Sequence, residues 1–164
     1  MENVSVQDIV LATGGVLLSG KGDALLKKIR LDSRQVETGD LFVPIIGEKV
    51  DAHKFLGQVA EKGAGAVLTS EHKEKTAEME NTSCAWIAVD DTKKALQAVG
   101  RYLRKRLTLP IIGVTGSVGK TTTREMIAAA LSARFRVYKT PGNSNSQVGV
   151  PITVSEITKA DEVG

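Results

Sequence analysis

Short apolar runs alternate with stretches of helical periodicity along the whole chain, which is the pattern of an α/β protein. Apolar runs predict strands at 27–31, 41–46, 66–69, 85–89, 111–114 and 136–140. Apolar residues at helical spacing predict helices that begin near Ser5 and near Asp51, and further helices at 91–105, 121–133 and 148–157. The order of these elements predicts a small mixed α/β domain followed by the beginning of a parallel sheet.

Sequence signals mark where two of the predicted helices begin. Ser5 followed three residues later by Asp8 resembles a capping box, and the glycine pair at 14–15 ends the same helix. Asp90 and Asp91 lie at the beginning of the helix at 91–105, where carboxylates cap main-chain N–H groups and complement the helix dipole. We therefore interpret this acidic pair as a cap and not as a metal site.

The segment 109–126, with the sequence L-P-I-I-G-V-T-G-S-V-G-K-T-T-T-R-E-M, carries the strongest chemical signal in the chain. Glycine recurs every third residue from 113 to 119, and a loop without β-carbons there can turn its N–H groups toward phosphate oxygens. Lys120 adds a mobile positive charge, and Thr121 adds a hydroxyl that suits a phosphate-bound Mg²⁺. The predicted phosphate-binding residues are Gly116, Ser117, Val118, Gly119, Lys120, Thr121 and Thr122, with Lys120 as the catalytic candidate and Thr121 as the metal ligand.

Residue 114 departs from the usual phosphate-loop formula. The formula G-x-x-x-x-G-K-[ST] places glycine at this position, and the chain has Val114. The plain alternative is a tight turn between a strand and a helix, with an exposed lysine. The predicted strand before the loop and the predicted helix after it favour nucleoside triphosphate binding, because the helix dipole then faces the anion.

Charge is distributed unevenly along the chain. Residues 1–83 contain 10 Lys and Arg against 13 Asp and Glu, whereas residues 84–164 contain 12 against 6. The basic half contains the predicted phosphate loop, and aromatic residues make up only 4% of the chain, so stacking platforms for nucleic acid are scarce. We predict a domain boundary near residue 83, where the charge changes sign, and no nucleic-acid partner.

The remaining composition is that of an ordinary globular protein. No run approaches the roughly 20 apolar residues that a membrane span needs, and Met1 is not followed by the pattern of a signal peptide. We therefore expect a cytoplasmic protein without a membrane span. Cys84 is the only cysteine, so no intrachain disulfide can form, and we interpret it as a small buried residue rather than a nucleophile.

The loop variant T-G-S-x-G-K-T-T resembles the ATP loop of the Mur ligases, which add amino acids to the peptidoglycan precursor. Other segments are similar to the same family in the same order. They are D-S-R at 32–34, G-D-L-F-V-P at 39–44, G-E-K-V-D-A-H-K-F at 47–55, G-A-G-A-V at 63–67 and T-P-G-N-S-N-S-Q-V-G-V-P at 140–151. The resemblance implies a UDP-binding domain at 1–83 and an incomplete central ATP-binding domain at 84–164.

The resemblance also implies roles for residues that the sequence alone leaves open. Ser33 and Arg34 become candidates to contact the UDP part of the substrate, although by themselves they read as an Asx turn with a surface arginine. Lys49 and His53 are binding residues at best, because neither has a carboxylate or serine spaced to form a catalytic pair. Asn143 and Asn145 become candidates to shape the site near the phosphates, in what otherwise reads as a loop.

The activity that the resemblance implies is ATP-dependent amide formation with Mg²⁺. Within the family the motifs are most similar to members that join D-alanyl-D-alanine to UDP-N-acetylmuramoyl-tripeptide through an acyl phosphate. Because the chain stops at Gly164, we expect an amino-terminal fragment that does not ligate by itself and that self-associates through an uncovered sheet edge. Three alternatives stay open: a sister ligase that adds a diamino acid or glutamate, a nucleotide-sugar binding module without catalysis, and an unrelated phosphate-loop kinase.

Overall fold

A computed structural model describes residues 1–47, 50–142, 144 and 146–164 of the chain. The strands are β1 (Val4–Ser5), β2 (Val16–Ser19), β3 (Leu25–Leu26), β4 (Ile29–Arg30), β5 (Leu41–Phe42), β6 (Ala66–Thr69) and β7 (Ala85–Ala88). The α-helices are α1 (Val6–Thr13), α2 (Leu56–Glu61), α3 (Ala77–Glu80), α4 (Thr92–Arg106), α5 (Lys120–Ser132) and α6 (Gly149–Glu156). Short 3₁₀ helices lie at Ser33–Gln35 and Ala52–Phe55. The predicted α/β fold is confirmed.

Five strands form one mostly parallel sheet in the order β2-β7-β6-β5-β4. β4, β5, β6 and β7 are parallel to their neighbours, whereas β2 pairs with β7 in the antiparallel direction at one edge. β1 and β3 form a separate antiparallel pair. Parallel strands place their carboxyl ends at one edge of the sheet, so the segments that follow β4, β5, β6 and β7 all leave from that edge.

Alternate residues of the sheet pack into two separate hydrophobic clusters. Leu41 and Leu68 face the cluster that contains residues of α1 and α4, whereas Phe42 and Val67 face the cluster that contains residues of α2 and α3. Helices cover both faces, and every residue of β6 is buried. This explains why β6 and β7 read as continuous apolar runs in the sequence rather than as alternating strands.

The predicted helix signals form the expected local structures. The hydroxyl of Ser5 accepts from the main-chain N–H of Asp8, and Asp8 in turn accepts from the main-chain N–H of Ser5 at 2.8 Å. The carboxylate of Asp91 accepts from the main-chain N–H of Lys94 at 2.9 Å. These contacts satisfy N–H groups that the helices cannot satisfy internally. No helix of the described ranges is long and apolar enough to cross a membrane.

The predicted strands at 111–114 and 136–140 do not form. Ile112 and Pro110 each make one main-chain hydrogen bond with Gly164, and Val137 forms a single parallel bridge with Val163. A buried parallel strand needs a neighbour on each side, and among the described residues the first segment pairs only with Gly164 and the second only with residues 162–163. Ile112 is accordingly 45% exposed, instead of buried on both faces as predicted.

The first packing unit extends beyond the boundary predicted at residue 83. β7 lies between β2 and β6 in the sheet, so a division at residue 83 separates paired strands. α4 also packs on α1, where the hydroxyl of Tyr102 donates to the carboxylate of Asp8 at 2.7 Å. The change in charge reflects the basic side chains that α4 and later segments carry, and it does not coincide with an edge of the core.

We expect Tyr102→Phe to lower the free energy of unfolding by about 1 to 2 kcal/mol, because it removes a hydrogen bond to an ionised group with little change in volume. Urea unfolding measures the loss. In the background of Asp8→Ala the same substitution should cost less, because the carboxylate that accepts from the Tyr102 hydroxyl is already gone. Equal costs in the two backgrounds would contradict the contact.

Candidate functional site

Helix α5 begins directly after the glycine loop and has no side-chain cap. Its N-cap residue, Gly119, adopts a left-handed conformation with φ 79°, which favours glycine. The first intrahelical bond runs from Thr123 N to the carbonyl of Gly119 at 2.9 Å, so the N–H groups of the three preceding residues have no acceptor within the helix. Such an end attracts anions through its free N–H groups and its dipole.

Two of the predicted phosphate-binding residues line a cavity beside this helix end. The cavity has a volume of about 120 Å³, and its walls are formed by Val114, Lys120, Thr121, Arg124, Thr140, Gly142 and Ser144. The volume is below the roughly 300 to 1,000 Å³ of a typical ligand pocket, so it suits part of a nucleotide rather than a whole one. The Lys120 ammonium group donates to the carbonyl of Gly116 and so bends over its own loop.

The other predicted loop residues lie outside the cavity wall. Gly116, Ser117, Val118, Gly119 and Thr122 are exposed, and the side chain of Val118 is 86% exposed. Their binding role would therefore use main-chain N–H groups rather than side chains. Asn143 and Asn145 lie outside the described residues.

Five of the seven cavity residues were not predicted from the sequence as site residues. They are Val114, Arg124, Thr140, Gly142 and Ser144. Arg124 lies one helical turn after Lys120, a spacing that places both side chains on one face of α5 and that would have identified it. Its Nη1 donates to the carbonyl of Gly142 at 2.8 Å, and its Nη2 donates to Glu125 at 3.0 Å. Thr140 and Ser144 lie in the segment 140–151 that resembles the family, but the motif pointed to Asn143 and Asn145 instead.

Ser33 and Arg34 form the Asx turn that the sequence also allowed. The carboxylate of Asp32 accepts from the main-chain N–H of Arg34 at 3.0 Å and from its guanidinium at 2.7 Å. These hydrogen bonds lower the pKa of Asp32 to about 2. Ser33 is buried, whereas the side chain of Arg34 is 87% exposed. Their role in binding UDP stays a prediction, and Lys49 lies outside the described residues.

His53 is fully buried between a carboxylate and a serine. Its Nδ1 lies 2.7 Å from Asp51, and its Nε2 lies 3.0 Å from the hydroxyl of Ser70. The main-chain N–H of Ser70 also donates to Nε2 at 3.3 Å, so this nitrogen is an acceptor and the ring proton lies on Nδ1. His53 therefore has a carboxylate and a serine as hydrogen-bond partners, although the sequence spacing indicated no catalytic pair. Asp51 was within reach of sequence reasoning, but Ser70 is brought in from the end of β6.

The geometry of this group favours a structural role. The order Asp51, His53, Ser70 is that of a proton relay, but the imidazole side chain is 0% exposed and so offers no accessible surface to a substrate. Asp51, His53 and Glu71 also place ligand atoms within 4.8 Å of one another. Both ring nitrogens are already hydrogen-bonded, however, which leaves neither free to bind a metal ion. His53 instead joins the 3₁₀ helix at Ala52–Phe55 to the end of β6.

Burial makes Cys84 chemically inert. The thiol is buried in the cluster between the sheet and α2, and this desolvation raises its pKa to about 12. A thiol with this pKa is not a nucleophile at neutral pH. The interpretation of Cys84 as a small buried residue is confirmed by its position.

Two family profiles match the chain and together cover most of it. The profile described as "Mur ligase family, catalytic domain" matches residues 26–103, and the one described as "Mur ligase middle domain" matches residues 114–163. The chain belongs to the Mur ligase family. Residues 104–113 separate the two matches, and the second match includes the phosphate loop and helix α5.

Curated relatives within the family carry one common name. The chain is 44% identical over 136 residues to UDP-N-acetylmuramoyl-tripeptide--D-alanyl-D-alanine ligase of Synechocystis sp., a match that covers 83% of the chain and 29% of the relative. It is 37% identical over 160 residues to the ligase of the same name from Bacillus subtilis, covering 97% and 34%. The chain thus spans about a third of the length of these relatives.

Solved structures show the same likeness. The chain resembles MurF from Acinetobacter baumannii with a TM-score of 0.84 and 34% identity, over 97% of this chain and 34% of that one. It resembles MurF ligase from Thermotoga maritima, solved in complex with ADP, with a TM-score of 0.73 and 29% identity, over 87% and 32%. The Mur ligase fold implied by the sequence motifs is therefore confirmed.

The contact between Asp51 and His53 predicts a pH dependence of stability. The main-chain N–H and the ring of His53 lower the pKa of Asp51 below its ordinary value. The stabilisation is fully present above the unfolded pKa of about 4 and is lost as the pH falls through the lower folded pKa. Asp51→Asn, which keeps an N-cap acceptor, should therefore be less stable than wild type at pH 7, and the gap should narrow below about pH 4.

Urea midpoints measured at pH 7 and pH 3 test this dependence. The matched control is Asp23→Asn, because the side chain of Asp23 is exposed and has no hydrogen-bond partner in the described part of the chain. A gap between wild type and Asp51→Asn that stays constant down to pH 3 would refute the assigned role of the carboxylate.

Proposed function

We propose that this chain forms the UDP-substrate-binding and ATP-phosphate-binding parts of a ligase that joins D-alanyl-D-alanine to UDP-N-acetylmuramoyl-tripeptide. The observation that carries the proposal is the uncapped beginning of α5, where Lys120 and Thr121 face a small cavity in a chain of this family. The names of the curated relatives support this choice of substrates. The likeness to a ligase that adds 2,6-diaminopimelate is only 22% in identity and concerns the fold alone.

The proposed reaction forms an amide in two steps. The terminal carboxylate of the tripeptide attacks the γ-phosphate of ATP, and ADP leaves. The amine of D-alanyl-D-alanine then attacks the acyl phosphate, forms the amide bond and expels inorganic phosphate. Phosphorylation is needed because a carboxylate has no good leaving group, whereas phosphate is one. A reaction that consumes ATP in peptidoglycan precursor synthesis also fits a cytoplasmic location.

Residues at the beginning of α5 would act on the phosphates. Lys120 would neutralise the β- and γ-phosphates as charge moves between them, and the N–H groups of 116–120 would hold their oxygens. Thr121 lines the cavity and offers the oxygen ligand that Mg²⁺ prefers, so this residue fits the role of metal ligand. Mg²⁺, when bound, would screen the charge of the phosphate oxygens. The relative from Thermotoga maritima was solved in complex with ADP, which supports an adenine nucleotide as the ligand.

We propose that the UDP part of the substrate binds at the edge of the sheet where the parallel strands have their carboxyl ends. Ser33 and Arg34 follow β4, and His53 joins the segment after β5 to the end of β6. Arg34 presents an exposed guanidinium that would pair with the diphosphate of UDP. On the motif alone, we also propose that Lys49 contacts the substrate and that Asn143 and Asn145 contact the nucleotide. We also propose that the division between the two parts lies at 107–113 rather than at residue 83.

Calorimetric titration with MgATP and with UDP tests the two sites separately. Lys120→Ala should weaken MgATP binding by at least about tenfold, because it removes a charged hydrogen bond to the phosphates. UDP binding should stay unchanged in this variant. Lys159→Ala is the matched control, since Lys159 is an exposed lysine away from the cavity, and it should leave both affinities unchanged.

Each other outcome points to a different class of protein. MgATP binding without UDP binding would favour an unrelated kinase. UDP binding without MgATP binding would favour a nucleotide-sugar binding module. If Lys120→Ala and Lys159→Ala weakened MgATP binding equally, the result would contradict a role of the phosphate loop in binding ATP.

Arg34→Ala provides a separate test of the substrate end. We expect it to weaken UDP binding by about tenfold, because a guanidinium pairs with diphosphate oxygens through charged hydrogen bonds. The free energy of unfolding should change little, because the pair with Asp32 is exposed. Unchanged UDP affinity in this variant would remove Arg34 from the site.

A further inference from the structure

Arg124 connects α5 to the segment that forms the opposite wall of the phosphate cavity. It lies one turn after Lys120, and its Nη1 donates to the carbonyl of Gly142 at 2.8 Å. Gly142 has a φ of 55°, a left-handed conformation that few other residues adopt. The carbonyl that Arg124 contacts is therefore presented by a turn whose geometry depends on glycine.

A second contact holds the other end of the same segment. Glu125 accepts from Lys139 at 2.6 Å and from the Nη2 of Arg124 at 3.0 Å. Lys139 first, and then Arg124, lower the pKa of Glu125, so the carboxylate is ionised at neutral pH. The stretch from Lys139 to Gly142 is thus attached at both ends to a single turn of α5.

The guanidinium of Arg124 is enclosed rather than solvated. Its side chain is 24% exposed, and its Nε is shielded from solvent without a hydrogen-bond partner among the described residues. An arginine that occupies such a space supports the groups around it by packing as well as by charge. Thr140, Gly142 and Ser144 form the wall that it supports, while Lys120 and Thr121 lie opposite.

We propose that Arg124, with Glu125 and Lys139, is a positioning residue that clamps the segment 139–142 against α5 and sets the width of the phosphate cavity. The clamp acts through Gly142 and not by replacing Lys120. The identity of the ligand in this inference rests on the proposed function, which assigns the cavity to the phosphates of ATP. Nucleotide affinity then depends on an ion-pair network one helical turn away from the loop itself.

Hydrogen exchange in the 164-residue chain without nucleotide tests the clamp directly. Arg124→Gln should raise the exchange rates of the hydrogen-bonded amides of Tyr138 and Glu162, which lie in the pairing just before the segment, by about tenfold, since the segment loses its hydrogen bond to the helix. Arg124→Lys should show a smaller increase, because an ammonium group cannot serve Gly142 and Glu125 in the same forked geometry. The matched control is Arg134→Gln, which removes one exposed positive charge just after α5 and should leave these rates unchanged.

Titration with MgADP tests the consequence for binding. Arg124→Gln should weaken affinity by about tenfold while the urea midpoint changes little, a pattern that a purely structural role would not give. Glu125→Gln and Lys139→Met should each weaken it less. The double variant should be no worse than the poorer single one, because the two residues act through one contact.

The outcomes separate the clamp from the proposed function. Unchanged exchange in Arg124→Gln, or an equal increase in Arg134→Gln, would overturn the clamp. Faster exchange with unchanged MgADP affinity would overturn its link to the cavity. If wild type bound no MgADP while exchange responded as expected, the assignment of the cavity to ATP would fail and the clamp would stand.

Discussion

The three N–H groups at the beginning of α5 need acceptors, and no side chain of the described residues supplies one. A helix end in this state is stabilised by water or by an anion. In this chain the end faces a cavity that is too small for a whole nucleotide and is bordered by cationic groups. The proposed binding of phosphate depends on these unbonded N–H groups, because residues 116–119 of the loop are exposed and lie outside the cavity wall. Even Val118, the loop residue that departs most from a small polar type, points to solvent.

The sheet fixes where the second candidate site can lie. Successive residues of β5, β6 and β7 point alternately into the two hydrophobic clusters. Polar groups can therefore be presented only at the ends of these strands. His53 shows how firmly this edge is held, since it ties a 3₁₀ helix to the end of β6 through two hydrogen bonds. The exposed guanidinium of Arg34 stands on this rigid edge, which suits a group that must meet a ligand in a defined position.

Elements with local signals were predictable, and those defined by distant partners were not. The capping box at Ser5, the cap at Asp91 and the helices α4, α5 and α6 follow from short-range patterns and are found where expected. The strands at 111–114 and 136–140 depend on neighbours that must pair with them, and only a few main-chain hydrogen bonds with residues 162–164 form. The same distinction applies to the sites: Lys120 and Thr121 belong to a motif, whereas Ser70 reaches His53 only through tertiary packing.

Two positively charged residues of α5, Lys120 and Arg124, line the cavity and differ in how firmly they are held. Lys120 donates to Gly116 within its own loop, so an incoming phosphate must draw the ammonium group away from a carbonyl oxygen. Arg124 cannot make the same movement, because it is held between Gly142 and Glu125 and is partly enclosed. In the proposed site, Lys120 would therefore move with the ligand, whereas Arg124 would maintain the wall against which the ligand is held. A mobile charge gains affinity only where the opposite surface stays in place, since disorder of that surface would have to be removed on binding.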